Sequence, residues 1–363
     1  MQQPLHNNVN VLFGPRFDDN CFQFWRRRDR SHECGSDGGY DHILIADGFT
    51  AAVWVHLGAK ISRRVKGCRR WFWTSSFVVA MEKAAKALEK ALPPAKRIMM
   101  CRPTHFDLVY SINPWMDTQQ KVNKLKAHNQ WNTLKKTIED SGAVVDVLEP
   151  FGADGYPDMV FSANAAVVRG KKAYLSNFQF PERKGERFFY KKWLEMNGFK
   201  TFGSLDIPFE GAGDALFAGN NLFCGVGPRT DVRALREIAD TLVDEENPFP
   251  VIGCRLVDPR FYHIDTCFCP ISPDAAIWFP HAFDPISQHN MTQHKIELIP
   301  VPEADATNFA CNAVVVDQTV IMHHRNESTA KLLERNGFTV RFVDMSEFIK
   351  SGGSAKCCTL TLA

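Results

Sequence analysis

The sequence lacks the features that mark nucleic-acid-binding and membrane proteins. No charge of one sign prevails, since 43 Lys and Arg face 41 Asp and Glu, for a net charge of +2. This balance argues against a nucleic-acid partner, because binding along a phosphate backbone needs a strong basic excess. Lys, Arg or Pro interrupts every long apolar stretch, which argues against a membrane span. These absences favour a soluble enzyme or binding protein whose partner is a small molecule.

The cysteines lack the regular spacing of a disulfide framework. There are eleven of them, an odd number, and no clear secretory signal follows Met1. This combination predicts reduced thiols and a cytoplasmic location. A mitochondrial location is the alternative if the N-terminal residues are a targeting segment.

Residues 1–80 differ in composition from the rest of the chain. They hold eleven Lys and Arg against seven acids, in Trp/Arg clusters around Arg26 and Arg70. They show neither helical nor strand periodicity. Seven acids are too many for a clean transit peptide, so we expect an irregular or disordered extension that the chemistry does not need. Residues 81–363 are predicted to form a single domain, beginning with an amphipathic stretch at 82–92.

From residue 97 onward one supersecondary pattern recurs at intervals of roughly fifty residues. Each unit is a strand, a polar turn with Gly, Asn, Asp or Pro, and a second strand; in three of the four an amphipathic helix follows. The predicted hairpins pair 159–168 with 172–175, 215–218 with 222–226, 266–271 with 275–279, and 313–316 with 319–323. The predicted helices are 121–140, 186–196, 230–244 and 326–336, and the first precedes a strand at 144–148.

Four hairpins favour a repeat architecture of the α/β class over two independent domains. A fifth unit forms if a C-terminal strand at 357–362 pairs with 97–101. That pairing would close the ring and remove exposed sheet edges. The alternative is an open mixed α/β sheet.

Two stretches bring reactive side chains to strand ends. A Gly-rich turn at 352–354 precedes Cys357, where glycines allow the backbone to approach a ligand closely. His263 and Asp265 are predicted to share one face of a strand, because side chains alternate with a period of two. Taken alone, a single Cys or His is more often structural than catalytic. The hypothesis therefore depends on the whole set.

With these motifs the sequence resembles the guanidino-group-modifying, or pentein, superfamily over about residues 97–363. That superfamily includes arginine deiminase, dimethylarginine dimethylaminohydrolase, amidinotransferase and arginine dihydrolase. The resemblance lies in Cys-Arg-Pro-Thr-His-Phe at Cys101, Phe-Ser-Ala-Asn-Ala around Asn164, Phe-Tyr-His-Ile-Asp-Thr around His263, and the terminal Gly-Gly-x-x-x-Cys at Cys357. It implies a fivefold pseudosymmetric α/β propeller. Lys356 departs from the deiminase pattern, which usually has His before the Cys.

The resemblance also implies roles for individual residues. Cys357 would attack the guanidino carbon, and His263 would act as acid and base. Asp158 and Asp265 would grip the cation, an arrangement that orients it and compensates its charge. The implied substrate-binding residues are Arg183 and Arg229 for a carboxylate, Asn113 for the pocket wall or the α-amino group, Asn164, which would hold the first product for a second attack, and Glu210 or Asp214 as further acids.

The preferred interpretation is an arginine dihydrolase that works without a metal or another cofactor. The alternatives are dimethylarginine hydrolysis, amidino transfer and a catalytically silent arginine-binding propeller, and a homo-oligomer is left open. Asp214 has a second interpretation as a residue that shapes a turn. Cys267 and Cys269 are predicted to pack in the core and not to bind zinc. His323 and His324 are predicted to be solvated.

Overall fold

The computed structural model describes residues 95–243 and 248–362. The predictions for residues 1–80 and for the stretch 82–92 lie outside this part of the chain, and so does the domain boundary between them. Within it, no helix has both the length and the apolar character needed to cross a membrane.

Fifteen strands form five separate three-stranded sheets in the described residues. The strands are β1 (Arg97–Cys101), β2 (Val144–Leu148), β3 (Ala166–Arg169), β4 (Lys172–Leu175), β5 (Lys200–Phe202), β6 (Ala215–Ala218), β7 (Asn221–Val226), β8 (Val251–Arg255), β9 (Phe268–Ser272), β10 (Ala275–Trp278), β11 (Glu297–Pro300), β12 (Val314–Val316), β13 (Thr319–His323), β14 (Thr339–Val343) and β15 (Leu360–Thr361).

The helices connect the second and third strands of each sheet or precede the next sheet. They are α1 (Lys124–Glu139), α2 (Pro181–Lys184), α3 (Glu186–Met196), α4 (Arg233–Leu242), α5 (Pro285–Thr292), α6 (Glu303–Ala306), α7 (Glu327–Arg335) and α8 (Ser346–Ile349). The helix α3 has the predicted bounds. The helices α1, α4 and α7 are each shorter than the pattern predicted, because helix ends fray into turns and caps.

All five sheets share one topology. In four of them a hairpin supplies the first and central strands, and a helical crossover returns the third strand parallel to the central one. In the remaining sheet β15 takes the place of the first hairpin strand and pairs antiparallel with β1, with Ile98 opposite Thr361. The C-terminal strand therefore completes the sheet that the N-terminal strand begins. The predicted fivefold α/β propeller and its closure are confirmed.

Two of the predicted hairpin strands begin later than their apolar runs suggest. Residues Pro157–Val160 and Ser162–Ala165 form 3-10 turns before β3, and Ile264–Thr266 forms another before β9. These turns are buried, so their apolar residues satisfy the same hydrophobic pattern as a strand would. A turn precedes the first strand of every sheet: another 3-10 turn lies at Gly211–Gly213, and ordinary turns lie at 307–312 and 355–358. The polar residues singled out from the sequence lie mostly in these turns.

Candidate active site

Cys357 lies in the turn before β15, not in the strand itself as the sequence analysis expected. The preceding glycine loop is held closely by its neighbours. Gly352 has a φ of +83°, and a Cβ at that position would lie 2.6 Å from Oδ1 of Asn113. Tyr262 donates a hydrogen bond to the Gly352 carbonyl at 2.7 Å. The loop therefore needs glycine there, and it fixes a thiol that is only 3% exposed.

Asn312 is the residue that positions this thiol, and the sequence analysis missed it. Its Nδ2 donates to Cys357 Sγ and to the Asp265 carbonyl, both at 3.1 Å. Its Oδ1 accepts from the backbone N–H groups of Ser354 and Cys357, also at 3.1 Å. One fully buried amide thus holds the thiol, its loop and the neighbouring turn in a single arrangement.

An internal repeat could have identified Asn312. The segment around Asn164 reads Phe-Ser-Ala-Asn-Ala-Ala-Val-Val, and that around Asn312 reads Phe-Ala-Cys-Asn-Ala-Val-Val-Val. Both asparagines lie in the turn that leads into the first strand of a sheet. In a repeat architecture, a residue assigned to the site in one unit directs attention to the same position in the others.

Asp265 lies beside the thiol, and Cys357 Sγ donates to its Oδ2 over 3.4 Å. Burial raises the pKa of Asp265 to about 7, although Lys356 acts in the opposite direction. Burial, and then the charge of Asp265, raise the pKa of Cys357. Burial therefore favours the protonated form of each group. Among the described atoms, Oδ1 of Asp265 has no hydrogen-bond partner.

Asp158 offers a second buried carboxylate with an open oxygen. It lies in the turn Pro157–Val160, and its Oδ2 accepts from the Tyr110 hydroxyl at 2.9 Å. Its Oδ1 is buried and has no partner in the part of the chain that the structure describes. Burial raises the pKa of this carboxyl as well. Buried polar atoms are nearly always hydrogen-bonded, so two unpartnered carboxylate oxygens indicate a missing donor, such as a ligand's N–H groups.

His263 does not share a strand face with Asp265, contrary to the sequence-based expectation. It is extended, and the 3-10 turn begins immediately after it, so the two side chains take different partners. His263 Nε2 lies 2.7 Å from Oε2 of Glu210, which also accepts from Arg229 at 2.8 Å. Burial lowers the pKa of His263 to about 4.

The histidine tautomer follows from these contacts. Burial opposes ionisation of Glu210, but Arg229 and the bond from His263 hold the pKa of that carboxyl below its usual range. An ionised carboxylate only accepts hydrogen bonds, so Nε2 carries the hydrogen. The other ring nitrogen, Nδ1, is then the atom free to exchange a proton.

Glu210 and Asp214 differ from the two open aspartates because protein donors hold their oxygens. The second oxygen of Glu210 accepts from the backbone N–H of Gln179 at 3.2 Å. Asp214 accepts from the Thr230 hydroxyl at 2.7 Å and from the Ile264 N–H at 3.1 Å. The geometry supports the turn-shaping interpretation of Asp214, and it makes Glu210 a partner of His263 in place of a substrate grip.

Arg183 and Arg229 are both buried among protein acceptors. Arg183 pairs in bidentate fashion with Glu186, both distances being 2.8 Å, and donates to Oδ1 of Asn164 at 3.0 Å. Asn164 in turn donates to the Glu210 carbonyl at 3.0 Å. Arg229 also donates to the Ile112 carbonyl, and its guanidinium lies over the ring of Tyr262. Through these bonds the two arginines, Asn164 and Glu210 form part of the buried polar network of the site. Glu186 also belongs to this network, and the sequence analysis did not name it.

Asn113, which the sequence analysis assigned to the pocket wall or to an α-amino contact, lies against the loop that precedes the thiol. Its Nδ2 donates to the Ser351 carbonyl at 3.1 Å, and its Oδ1 accepts from the Trp115 N–H at 3.0 Å. Both ends of its amide are thus engaged by the protein. The contact makes Asn113 part of the wall that supports residues 351–354.

The histidines and paired cysteines outside this site were given other roles in the sequence analysis. Cys267 and Cys269 are buried in the hydrophobic core, as expected. His323 is buried, so the expectation that it is solvated was wrong. It lies with His324 and Asp344 in a group whose ligand atoms are within 4.8 Å of one another. However, Nδ1 of His323 accepts from the Met345 N–H at 3.1 Å, which places the proton on Nε2 and opposes metal binding there.

A five-unit propeller with a buried Cys–Asp pair and a His–Glu pair defines the guanidino-group-modifying, or pentein, superfamily. Residues 104–363 match the family described as N,N dimethylarginine dimethylhydrolase, eukaryotic. The chain belongs to this family.

Three relatives illustrate the similarity. The bifunctional arginine dihydrolase/ornithine cyclodeaminase ArgZ of Synechocystis is 44% identical over 270 residues, which are 73% of this chain but only 37% of that protein. The N(G),N(G)-dimethylarginine dimethylaminohydrolase of Mycobacterium tuberculosis is 37% identical over 81% of this chain and 94% of its own length. The crystal structure of the N-terminal domain of ArgZ bound to substrate superposes with a TM-score of 0.69 at 42% identity, covering 74% of this chain and 98% of that domain.

Proposed function

We propose that this chain hydrolyses the guanidino group of free arginine as an arginine dihydrolase, releasing ornithine, carbon dioxide and two molecules of ammonia. The observation that carries the proposal is that Asp158 and Asp265 each have a buried oxygen without a partner, and that Asp265 lies beside the thiol of Cys357. A guanidinium is planar and cationic, and its N–H groups match two carboxylates that lack donors.

Binding and activation are coupled in this arrangement. A bound cation favours ionisation of both aspartates and of the thiol, and so offsets the effect of burial on their pKa values. The Nδ2 of Asn312 donates to the sulfur and stabilises the thiolate. The substrate therefore helps to generate the nucleophile that attacks it.

The chemical step proceeds through a covalent intermediate. The thiolate of Cys357 attacks the guanidino carbon, and the proton that the thiol gave up passes through Nδ1 of His263 to the departing nitrogen. Ammonia leaves, and an S-alkylthiouronium remains on Cys357. His263 then removes a proton from water, the hydroxide adds to the same carbon, and the C–S bond breaks. Citrulline forms and the thiol is restored.

A second round on citrulline completes the dihydrolase reaction. Water is consumed again, the second ammonia and carbon dioxide leave, and ornithine remains. We assign the retention of citrulline to Asn164, which is held between Arg183 and the Glu210 carbonyl. Solved variants of ArgZ change a cysteine and an asparagine whose separation along the chain equals that of Cys357 and Asn164, and the asparagine variant is covalently bonded to a reaction intermediate.

Dimethylarginine hydrolysis is the second candidate, because it is the activity that the family description and the M. tuberculosis relative carry. The same thiol and acids would attack the guanidino carbon, dimethylamine would leave, and citrulline would be the final product. This reaction needs one round of hydrolysis, whereas the dihydrolase reaction needs two.

Product analysis tests both candidates. The purified full chain is incubated with arginine, citrulline or asymmetric dimethylarginine, and the products are identified by mass spectrometry. We expect ornithine from arginine without accumulated citrulline, no turnover by Cys357→Ser, and citrulline accumulation by Asn164→Ser. Citrulline and dimethylamine as the only products would support the second candidate. Turnover by Cys357→Ser near the wild-type rate would overturn both.

A further inference from the structure

A cavity of about 520 Å³ lies along the first strands of the five sheets. The strands β3, β6, β9, β12 and β15 all contribute to its wall. These strands begin just after the turns of the active site, whereas the cavity extends to Gly170 and Asn220 in the hairpin turns that follow β3 and β6. The cavity therefore extends from these turns, where Ala212, Cys311 and Lys356 line it, to the opposite ends of the strands.

The charged side chains around this cavity are all cationic. Lys96, Lys356 and Arg169 line it, and none of the described lining residues is Asp or Glu. Arg169 donates to the Leu242 carbonyl at the rim. The two lysines are half-buried. Like charges that share a partly buried space destabilise each other unless an anion compensates them.

The ammonium groups of the two lysines can donate more hydrogen bonds than the described residues accept from them. Lys96 Nζ donates to the Val315 carbonyl at 2.9 Å, and Lys356 Nζ donates to the Thr359 carbonyl at 3.3 Å. An ammonium group carries three N–H donors. Across residues 95–243 and 248–362 neither lysine forms an ion pair with a carboxylate. Burial, and then the charge of Lys356, lower the pKa of Lys96, and the more weakly acting Asp317 opposes this shift without forming an ion pair.

We propose that this central cavity is a binding site for a small oxyanion, bridged by Lys96 and Lys356. An anion with two or more acceptor oxygens, such as phosphate or bicarbonate, satisfies both ammonium groups at once. Lys356 and Cys357 are neighbours in one turn, so that turn presents a thiol to the active site and a cation to the anion site. Anion binding at this site does not require substrate turnover. The proposal is therefore independent of the proposed hydrolase activity.

The test titrates inorganic phosphate into the full chain at constant pH and ionic strength, with sodium chloride as the reference salt. The Tm and the heat of binding are measured. A ligand that binds only the folded state raises the Tm. We expect phosphate to raise the Tm above the chloride value, and Lys96→Met or Lys356→Met to weaken the apparent Kd by about tenfold each, the effect of losing one charged contact.

Matched controls locate the site. Lys331→Met changes an exposed lysine on α7 and should leave phosphate binding unchanged. Bicarbonate is titrated in a parallel arm. Competition with phosphate would indicate that hydrated carbon dioxide shares the site, and its absence would assign the site to phosphate. Equal Tm values in phosphate and chloride would overturn the proposal. So would phosphate binding that survives both lysine substitutions or that arginine displaces.

Discussion

Besides Glu186, which pairs with Arg183, the site holds four buried acids, and these fall into two pairs that differ in what holds their oxygens. Asp158 and Asp265, the open pair, each leave one oxygen without a protein donor among the described residues. Glu210 and Asp214, the closed pair, accept from protein donors at both oxygens. All four are at most 2% exposed, so burial alone does not distinguish them. Under the proposed function, the N–H groups of the substrate complete the open pair, whereas protein donors complete the closed pair.

Removing one charge from the open pair should have the largest effect. Asp158→Asn and Asp265→Asn each replace an acceptor oxygen by an amide and leave the guanidinium charge partly uncompensated. We expect kcat/KM for arginine to fall by about 10²- to 10³-fold in each variant. Steady-state kinetics with purified variants measures this.

The closed pair supplies the control for that experiment. Asp214→Asn should lower stability by about 1 to 3 kcal/mol, because it disturbs buried bonds to Thr230 and Ile264, and should change kcat/KM far less. Equal losses of activity in Asp158→Asn and Asp214→Asn would remove the distinction between the pairs.

Glu210→Gln should act through His263 and not through binding. The amide keeps an oxygen for Arg229 but no longer supplies the charge that orients the imidazole and stabilises its protonated form. We expect kcat to fall by about 10²-fold with a smaller change in KM, and the pH profile of kcat to shift. A large increase in KM with kcat intact would instead place Glu210 on the substrate.

Asn312→Ala should remove the side chain that positions the thiol of Cys357 beside Asp265. The backbone N–H groups of Ser354 and Cys357 lose their acceptor, and the sulfur loses a donor. We expect kcat to fall by about tenfold or more, and the pH midpoint for alkylation of Cys357 by iodoacetamide to rise. Asn308→Ala, which removes an amide bonded to the His324 carbonyl, is the matched control. An unchanged alkylation profile would assign Asn312 to structure alone.

The smallest expected effect concerns stability. Because burial raises the pKa of Asp265 to about 7, the folded state binds this proton more tightly than the unfolded state. Its contribution to stability is then present at low pH and is lost as the pH rises through 7. Asp265→Asn removes this dependence, so we expect the variant to gain about 1 to 3 kcal/mol over the wild type between pH 4 and pH 8. Urea unfolding at the two pH values measures it, and a constant difference would contradict the assignment.

The propeller fold was largely predictable because each repeat unit has a recognisable local sequence pattern. Apolar strands and turn residues recur in all four predicted hairpins, and amphipathic helices follow three of them. The bounds of α3 and β13 agree with the sequence analysis. The starts of β3 and β9 did not follow from such patterns. A buried 3-10 turn and a buried strand show the same apolar run, and only packing separates them.

For the site, the reactive residue types could be named from the sequence, whereas their partners could not. Cys357, His263, Asp158 and Asp265 stood out through motifs. Asn312, Glu186 and Tyr110 did not, because their roles depend on contacts with residues distant along the chain. The amide of Asn312, for example, is 45 residues from the sulfur that it contacts.

The sequence alone therefore determined four repeated hairpins and the chemical groups available, since these follow from periodicity and residue type. The fifth unit and the closure of the ring were conditional on a strand pairing that only the structure establishes. Tertiary structure decided which acids remain open, which tautomer His263 adopts and which way Lys356 faces. Those properties depend on distances between side chains in different repeat units, and hydrophobic patterning along one segment carries no information about them.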